Sequence, residues 1–263
     1  MSGILNQQIF VIVGGTTGLG LSAAKAFIRA GAHVVVVGRN PESAAAALTD
    51  LGPQAQVHVG DATDPATAPA AIEQAISAWG GFHGLYHVAG GSGRRLGDGP
   101  VHEITDAGWS GTLELNLNSL FYSNRAALQQ FLKQKSGGTI LNMGSVLGFA
   151  PSPHHFSTHA YATAKAAIIG FTRSAAAYYA PQNIRLNVIA PALVATPMSR
   201  RAQEDDSIRH FVATKQPLDG GRIGRPEDLD GAAVYLMSPE SQFVTGQVLA
   251  VDGGWSVSEG QYD

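Results

Sequence analysis

The segment Ile9-Phe-Val-Ile-Val13 runs directly into Gly14-Gly-Thr-Thr-Gly-Leu-Gly20 near the start of this 263-residue chain. The first part is short, apolar and rich in β-branched side chains, which predicts a strand buried on both faces. A helical pattern follows at residues 21–30, and Gly31 stands where a helix end favours a left-handed backbone. The next apolar run, at residues 32–37, predicts a second strand.

A strand, a glycine-rich turn, a helix and a second strand within about thirty residues are typical of a dinucleotide-binding unit. Glycines let the backbone approach a pyrophosphate, and the start of the helix offers free N–H groups and a partial positive charge. The spacing is Gly14-x-x-x-Gly18-x-Gly20 rather than the commoner G-x-G-x-x-G. The position of the turn between this strand and this helix therefore favours nucleotide binding more than its glycines alone would.

The rest of the chain alternates between apolar, strand-like runs and helical patterns, and no repeat, linker or low-complexity segment divides it. Further strands are predicted at residues 56–59, 84–88, 139–143, 183–188 and 247–251. Strands that alternate with helices favour a parallel sheet. We therefore expect an α/β fold: a single doubly wound Rossmann domain over residues 1–263, whose seven-stranded parallel sheet carries helices on both faces.

The composition is that of a globular protein, with 44% hydrophobic and 14% charged residues. A formal net charge of −3 gives no reason to expect nucleic acid or a membrane as a partner. The absence of cysteine excludes disulfides and thiolate metal sites. The first residues lack the pattern of a secretory signal, and no apolar run approaches the ~18 residues that span a bilayer. A cytoplasmic protein is the resulting expectation.

The residues that follow the second and third strands bear on which nucleotide binds. A carboxylate there would accept a hydrogen bond from the adenosine ribose 2′-OH, whereas an arginine suits a 2′-phosphate. Position 38 is glycine and Arg39 follows it, which favours NADP(H) over NAD(H). Asp61 stands after the third strand, where its carboxylate could accept from an adenine amino group or could simply cap a turn.

A second chemical signal is the Ala-rich segment around Tyr161-Ala-Thr-Ala-Lys165, which alanine's propensity predicts to be helical. Residues four apart share a helix face, so Tyr161 and Lys165 should be neighbours. A fixed ammonium beside a phenol should lower the phenol pKa from its reference of about 10. Tyr161 is therefore a candidate general acid/base. A tyrosine and a lysine at this spacing also occur by chance in many helices, so the motif needs support from elsewhere.

A long helix is predicted at about residues 109–135, and it contains Asn116 and Asn124. Asparagine is unfavourable inside a helix because its amide competes for backbone hydrogen bonds. Asn116 lies among leucines and is interpreted as a functional break, whereas Asn124 is interpreted as ordinary surface.

The loop before Tyr161 contains His154, His155 and His159 together with two prolines. No carboxylate accompanies these histidines, so a metal site is disfavoured. A loop that lines the mouth of a substrate pocket is the better interpretation. Residues 94–108, 146–159 and 198–216 are expected to line that pocket.

Taken together, these motifs resemble the short-chain dehydrogenase/reductase family in its compact single-domain type. The resemblance covers almost the whole chain, and the motifs are individually weak but jointly specific because they occur in the family's order. The matching positions are Gly14-x-x-x-Gly18-x-Gly20, Asp61, Ala89-Gly90, Asn116, Ser145, Tyr161-x-x-x-Lys165, Pro191 with Thr196-Pro197-Met198, and Val251-Asp-Gly-Gly254.

The resemblance implies an NAD(P)-dependent oxidoreductase that transfers a hydride between nicotinamide and a carbonyl or secondary alcohol. In this pattern Tyr161 exchanges a proton with the substrate oxygen, and Ser145 forms a hydrogen bond to the same oxygen. Lys165 holds the nicotinamide ribose and depresses the Tyr161 pKa, and Asn116 anchors a water that relays protons to Lys165. A homotetramer is also implied.

The expected coenzyme-binding residues combine the glycine turn, strand ends and a segment near residue 195. Residues 14–20 would bind the pyrophosphate and residues 194–196 the carboxamide. The full set is Gly14, Thr16, Thr17, Gly18, Leu19, Gly20, Arg39, Asp61, Ala62, Ala89, Gly90, Tyr161, Lys165, Val194 and Thr196.

Several positions depart from the family pattern. Val13 replaces a threonine and His87 an asparagine. These two family sites interact, so the double change is interpreted as compensatory. Ala192 replaces a glycine, and the sixteen-residue spacing from Ser145 to Tyr161 indicates an insertion that reshapes the substrate mouth.

Other functions remain open at this point. An NAD(H)-dependent alcohol dehydrogenase of the same family would differ in its coenzyme alone. A non-catalytic nucleotide-sensing protein could share the fold, although such proteins typically lose the tyrosine or the lysine. The enoyl reductase branch has a wider tyrosine-to-lysine spacing, and Thr158 occupies the position seven before Lys165, so that branch is disfavoured. The substrate molecule itself cannot be read from the sequence.

Overall fold

The computed structural model describes residues 3–260, and this part of the chain contains seven strands in one parallel sheet. The strands are β1 Ile9–Val13, β2 His33–Gly38, β3 Ala55–Val59, β4 Gly84–His87, β5 Gly138–Met143, β6 Ile184–Pro191 and β7 Val248–Val251. Their order in the sheet is β3-β2-β1-β4-β5-β6-β7. The predicted seven-stranded parallel sheet is confirmed. The main difference is β6, which continues three residues beyond its predicted end.

Helices lie on both faces of this sheet, as a doubly wound fold requires. Their bounds are α1 Gly18–Arg29, α2 Pro41–Leu51, α3 Thr67–Trp79, α4 Asp106–Leu113, α5 Ser119–Gln134, α6 His159–Tyr179, α7 Arg200–Glu204, α8 Asp206–Lys215, α9 Leu218–Gly221 and α10 Asp230–Met237. None of the helices within residues 3–260 has the length and apolar character needed to cross a bilayer.

Strand β1 shows why the sheet needs a helical layer on each side. All five of its residues are buried. Phe10 and Ile12 pack in the core beneath α1 and α10, whereas Val11 and Val13 pack in the core beneath α3 and α5. A strand buried on both faces has no polar alternation, which is why its sequence is a continuous apolar run.

Local signals end the first β-α-β unit where the sequence places them. Gly31 has a φ of +99°, the left-handed conformation expected after α1. Asn40 accepts a hydrogen bond from the Ser43 N–H at 2.7 Å, and Pro41 is the first residue of α2. This cap fixes the chain directly after Arg39, so Arg39 stays at the carboxyl edge of the sheet.

The predicted long helix is interrupted at the asparagine that the sequence identifies as a break. Residues Glu114–Asn118 form a single π turn between α4 and α5, and Asn116 is fully buried within it. Such turns are rare and occur often at functional sites. The helix is therefore broken at Asn116, whereas the functional role of this break stays a prediction.

The interpretation of Asn124 as surface is wrong. Its amide is fully buried and donates to the Asn142 Oδ1 of β5 at 2.9 Å. Asn142 in turn donates to the Thr172 hydroxyl of α6 at 3.0 Å. Asn124 therefore lies on the inner face of α5, where Asn142 of β5 and the Leu120 carbonyl of α5 itself satisfy its amide.

Gly20→Ala is expected to destabilise the protein by about 1–3 kcal/mol, because a Cβ at position 20 would lie 2.1 Å from the Gly14 carbonyl oxygen. Urea unfolding measures the change. Gly231→Ala in α10 is the matched control, since a Cβ there meets no atom within 4 Å and should add up to about 1 kcal/mol of stability. Equal stabilities for the two variants would contradict the tight packing of the turn.

Candidate active site

The carboxyl ends of β1 and β4 lie side by side at the point where the strand order reverses. Doubly wound sheets bind their ligands at such a point. Gly14 has a φ of +85°, and a Cβ on it would lie 2.6 Å from the backbone nitrogen of Ala89. The Ala89 N–H donates to the Val13 carbonyl at 2.9 Å. The structure therefore brings the predicted residues Gly14 and Ala89 into direct contact.

The N-terminus of α1 opens at the same edge. Thr17, its N-cap residue, makes no side-chain capping bond, and the first turn of α1 contains no acidic residue. Helices α2 and α4 differ, because Asn40 and Thr105 cap them. Free N–H groups at a helix start attract anions, so this end of α1 fits a coenzyme pyrophosphate.

The predicted carboxamide segment lies beside the glycine turn. A Cβ on Gly18 would lie 3.5 Å from Thr196 Cγ2, within ordinary contact distance. Val194 forms a bridge with Gly224, and its carbonyl accepts from the Ser199 hydroxyl at 2.6 Å. These bonds hold residues 194–196 next to the N-terminal end of α1.

The end of β2 has no space for a carboxylate at position 38. A Cβ on Gly38 would lie 2.1 Å from the Thr16 hydroxyl oxygen, so Thr16 occupies that space. The next side chain, Arg39, is 74% exposed, and its Nη1 lies 3.9 Å from Asp61 Oδ2. Arg39 is therefore the charged side chain at the end of β2.

Asp61 and Ala62 lie in the turn that follows β3. Asp61 Oδ1 accepts from both the N–H and the hydroxyl of Thr63 at 2.9 Å. The bond from the Thr63 backbone lowers the pKa of Asp61, burial opposes it, and the Thr63 hydroxyl and Arg39 lower it further. Asp61 therefore does form a turn, one of the two roles left open by the sequence, while Oδ2 faces Arg39.

Lys165 is buried at the centre of the candidate site. Its Nζ donates to the Met143 carbonyl at the end of β5, at 2.8 Å, and lies 5.4 Å from the centre of the Tyr161 ring. Burial lowers the pKa of Lys165 to about 8. Lys165 and Tyr161 are neighbours on α6, as their spacing predicts.

Ser145 lies close enough to Tyr161 to act on the phenol. Burial raises the pKa of Tyr161 to about 12, and the hydrogen bond with Ser145 acts in the opposite direction. The prediction that Lys165 lowers the phenol pKa is wrong for this structure. Desolvation dominates, and the ammonium of Lys165 bonds to the Met143 carbonyl.

Asn116 lies near Lys165, in contact with the turn that follows β4. Its Oδ1 accepts from the Gly91 N–H at 3.1 Å, and its amide donates to the Gly91 carbonyl at 2.9 Å. A Cβ on Gly90 would lie 2.7 Å from Asn116 Oδ1 and 3.7 Å from Lys165 Nζ. The π turn therefore brings Asn116, Gly90 and Lys165 together and clamps the turn after β4.

His87 occupies a polar pocket that sequence reasoning missed. It pairs with Val13 in the sheet register, yet its Nδ1 lies 2.8 Å from the Ser123 hydroxyl and its Nε2 3.5 Å from the Ser119 hydroxyl. Two serines four apart on one helix face were the available signal. Burial, and secondarily the charge of Lys165, lower the pKa of His87 to about 3.

The three predicted substrate segments meet at one backbone carbonyl. Arg94 and Arg201 each donate to the His155 oxygen at 3.3 Å. An open cavity of about 690 Å³ lies beside this point, lined by Arg95 and by charged residues between 200 and 207. Ser145 and Tyr161 are not among its lining residues, so this cavity is distinct from the site around them.

Two of the three loop histidines contact other protein groups. The His155 ring packs on Phe211 with ring centres 4.9 Å apart, and His159 Nδ1 accepts from the Val101 N–H at 3.0 Å. Across residues 3–260, no group of three or more His, Cys, Asp or Glu side chains is placed to hold a metal ion.

Comparison with known proteins bears on this geometry. A family model described as enoyl-(acyl carrier protein) reductase matches residues 13–256. The chain is 36% identical over 261 residues to 2-(S)-hydroxypropyl-CoM dehydrogenase 3 of Xanthobacter autotrophicus, covering 97% of this chain and 98% of that protein. The chain belongs to the short-chain dehydrogenase/reductase family. The resemblance seen in the sequence is thereby confirmed.

Other members agree with this assignment. A 3-oxoacyl-[acyl-carrier-protein] reductase, FabG of Chlamydia trachomatis, is 32% identical over 258 residues, covering 97% of this chain and 99% of that protein. A solved short-chain dehydrogenase/reductase from Mycobacterium ulcerans superposes with a TM-score of 0.89 at 29% identity, covering 99% of this chain and 93% of that one. As a family member the chain is an oxidoreductase for CH–OH and C=O groups, and its coenzyme is NAD(H) or NADP(H).

His87→Asn is expected to make folding less sensitive to acid. In the unfolded chain His87 binds a proton below about pH 6.5, whereas in the folded chain it binds one only near pH 3. The unfolded state therefore gains protons first, and the free energy of unfolding decreases as the pH falls. The variant should avoid about 1–2 kcal/mol of that loss at pH 5, measured by urea unfolding at pH 7 and pH 5. His210→Asn removes an exposed imidazole and serves as the control. An unchanged pH dependence in His87→Asn would contradict the depressed pKa.

Proposed function

We propose that this short-chain dehydrogenase/reductase interconverts a ketone or aldehyde and the corresponding alcohol with NADP(H), with Tyr161 as the proton-transfer residue. The observation that carries the proposal is the grouping of Ser145, Tyr161 and buried Lys165 at the carboxyl edge of the sheet. This edge also holds the uncapped end of α1.

The residues at this edge fit a nicotinamide coenzyme. Gly14 and Gly20 provide a backbone cradle that any Cβ would fill, and α1 presents unpaired N–H groups. When bound, the coenzyme supplies or accepts the hydride. Lys165 would hold the nicotinamide ribose through Nζ, whose remaining N–H groups can donate while Met143 keeps the ammonium in place.

The protein's own residues transfer one proton to or from the substrate oxygen. Ser145 Oγ donates a hydrogen bond to that oxygen and orients it. Tyr161 Oη gives its proton to the oxygen during reduction and takes it back during oxidation. A raised phenol pKa keeps this proton on Tyr161 at neutral pH, so Tyr161 can donate it to the substrate oxygen when the carbonyl is reduced.

Asn116 and His87 support this arrangement from behind Lys165. Asn116 fixes the turn after β4 against the lysine, and we propose that it anchors the water that returns a proton to Lys165 Nζ. His87 stays neutral because it is buried, so it adds no like charge beside the ammonium.

NADP(H) is favoured over NAD(H) by the end of β2. Thr16 fills the space in which a ribose-binding carboxylate would stand, and Arg39 extends from the next position into solvent. An exposed guanidinium can donate two parallel hydrogen bonds to a phosphate, whereas a single ribose hydroxyl cannot accept both. The distance of 3.9 Å to Asp61 leaves Arg39 able to turn to a 2′-phosphate.

A carbonyl substrate is favoured over an enoyl one by the spacing of the reacting groups. Tyr161 and Lys165 are one helical turn apart, with the Tyr161 hydroxyl against Ser145. The relatives named above are a hydroxypropyl dehydrogenase and a 3-oxoacyl reductase, whose names denote alcohol and ketone chemistry. The homotetramer and the cytoplasmic location stay predictions.

Tyr161→Phe should lower turnover of a ketone substrate by at least about 100-fold, because the proton donor is removed. NADPH oxidation in a panel of ketones and aldehydes identifies a substrate and then measures the loss. NADPH binding by fluorescence should stay within a few-fold of wild type. Tyr178→Phe, an exposed phenol on the same helix, is the matched control. Full turnover in Tyr161→Phe would refute the proposed mechanism.

Arg39→Asp should weaken NADPH binding by about 10–100-fold, since it removes a charge-assisted contact with the 2′-phosphate. NADH binding should change little or improve. Dissociation constants for both coenzymes provide the measurement, and Arg39→Gln separates loss of the guanidinium from repulsion by the new carboxylate. If the ratio of the two constants is the same in all three proteins, Arg39 does not select the coenzyme.

A further inference from the structure

Helix α6, which carries Tyr161 and Lys165, is capped by a residue from a distant loop. Thr158 occupies the N-cap position but makes no side-chain capping bond. Asp98 supplies the cap instead: its Oδ1 accepts from the Ala160 N–H at 3.0 Å and its Oδ2 from the Tyr161 N–H at 2.9 Å. Asp98 is buried, with 6% of its surface exposed. Both oxygens of a buried carboxylate are thus directed at the first turn of the catalytic helix.

Neighbouring residues of the same loop extend this contact. The His159 N–H donates to the Gly99 carbonyl at 3.2 Å, and the Val101 N–H donates to His159 Nδ1 at 3.0 Å. The first three N–H groups of α6 therefore all bond to residues 98–99. Helix starts without such partners are left with unsatisfied donors.

The carboxylate of Asp98 also interacts with Arg94, a nearby residue of the same segment. Burial and the nearby Arg201 lower the pKa of Arg94, while Asp98 raises it. Arg94 and Arg201 both hold the His155 carbonyl. The negative carboxylate of Asp98 therefore interacts with two positive groups. One is the guanidinium of Arg94 near Arg201, and the other is the N-terminal end of the α6 dipole.

We propose that Asp98 is a positioning residue for Tyr161: its carboxylate fixes the first turn of α6, and with it the phenol that exchanges the substrate proton. This inference rests on the proposed function of Tyr161. The backbone N–H that Asp98 binds belongs to Tyr161 itself, so a displaced cap displaces the proton donor directly. A displacement of about 1 Å can lower a rate by about 100-fold.

Asp98→Ala should lower kcat for ketone reduction at least about tenfold, because the first turn of α6 loses two acceptors. The dissociation constant for NADPH should stay within a few-fold of the wild-type value, since the glycine turn belongs to another part of the sheet and Lys165 keeps its own bond to Met143. Asp98→Asn keeps the shape and one acceptor oxygen and should have an intermediate kcat. It also serves as the test variant if Asp98→Ala does not fold.

A second-site variant separates positioning from general stability. An aspartate at an N-cap accepts from the N–H groups two and three residues on. For position 158 these are Ala160 and Tyr161, the two donors that Asp98 satisfies. Asp98→Ala combined with Thr158→Asp should therefore regain most of the lost kcat. Asp64→Ala is the matched control, since Asp64 bonds the Ala66 N–H just before α3, a helix without site residues.

Each outcome decides the matter. A normal kcat in both Asp98→Ala and Asp98→Asn overturns the inference. A loss of kcat that Asp64→Ala also shows overturns it, and so does a loss that Thr158→Asp fails to restore. A drop in kcat at unchanged NADPH affinity, restored by Thr158→Asp, supports it. The proposed function is tested separately by Tyr161→Phe, so a normal Asp98→Ala beside an inactive Tyr161→Phe refutes the role of Asp98 alone.

Discussion

The hydrogen bond from Lys165 Nζ to the Met143 carbonyl is the interaction on which the candidate site depends. It attaches α6 to the end of β5, and Ser145 follows Met143 by two residues. A buried ammonium is unfavourable unless its donors find partners, which is why burial lowers the pKa of Lys165. The same bond leaves the other donors of the ammonium for a ligand. It connects the helix that carries Tyr161 to the strand end that precedes Ser145.

Buried polar side chains behind the site keep this contact in place. His87 bonds Ser123 of α5, and Asn124 of α5 bonds Asn142 of β5, which bonds Thr172 of α6. Satisfied polar networks of this kind favour one packing over its alternatives. His87 is opposite Val13 in the sheet register, and its polar partner is Ser123 of α5.

Sequence reasoning succeeded where the deciding signal is local. Apolar β-branched runs, the glycine turn, the cap at Asn40 and the break at Asn116 all depend on residues within a few positions of one another. It failed where the outcome depends on burial. The pKa of Tyr161 rises rather than falls because the fold desolvates the phenol, and Asn124 is buried because α5 turns it toward Asn142. The cap on α6 could not be predicted either, because Asp98 is more than sixty residues from the N–H groups it binds.

The substrate segments and the reacting groups therefore share a physical connection. Arg94 and Arg201 converge on the His155 carbonyl, and Asp98, close to Arg94, holds the turn that carries Tyr161. The long spacing from Ser145 to Tyr161 brings a backbone carbonyl within reach of both arginines. Because a helix start must have partners for its N–H groups, the loop at residues 98–101 cannot change freely without a new cap for α6. The segments proposed to line the substrate pocket and the helix that carries Tyr161 are for that reason connected through the carboxylate of Asp98.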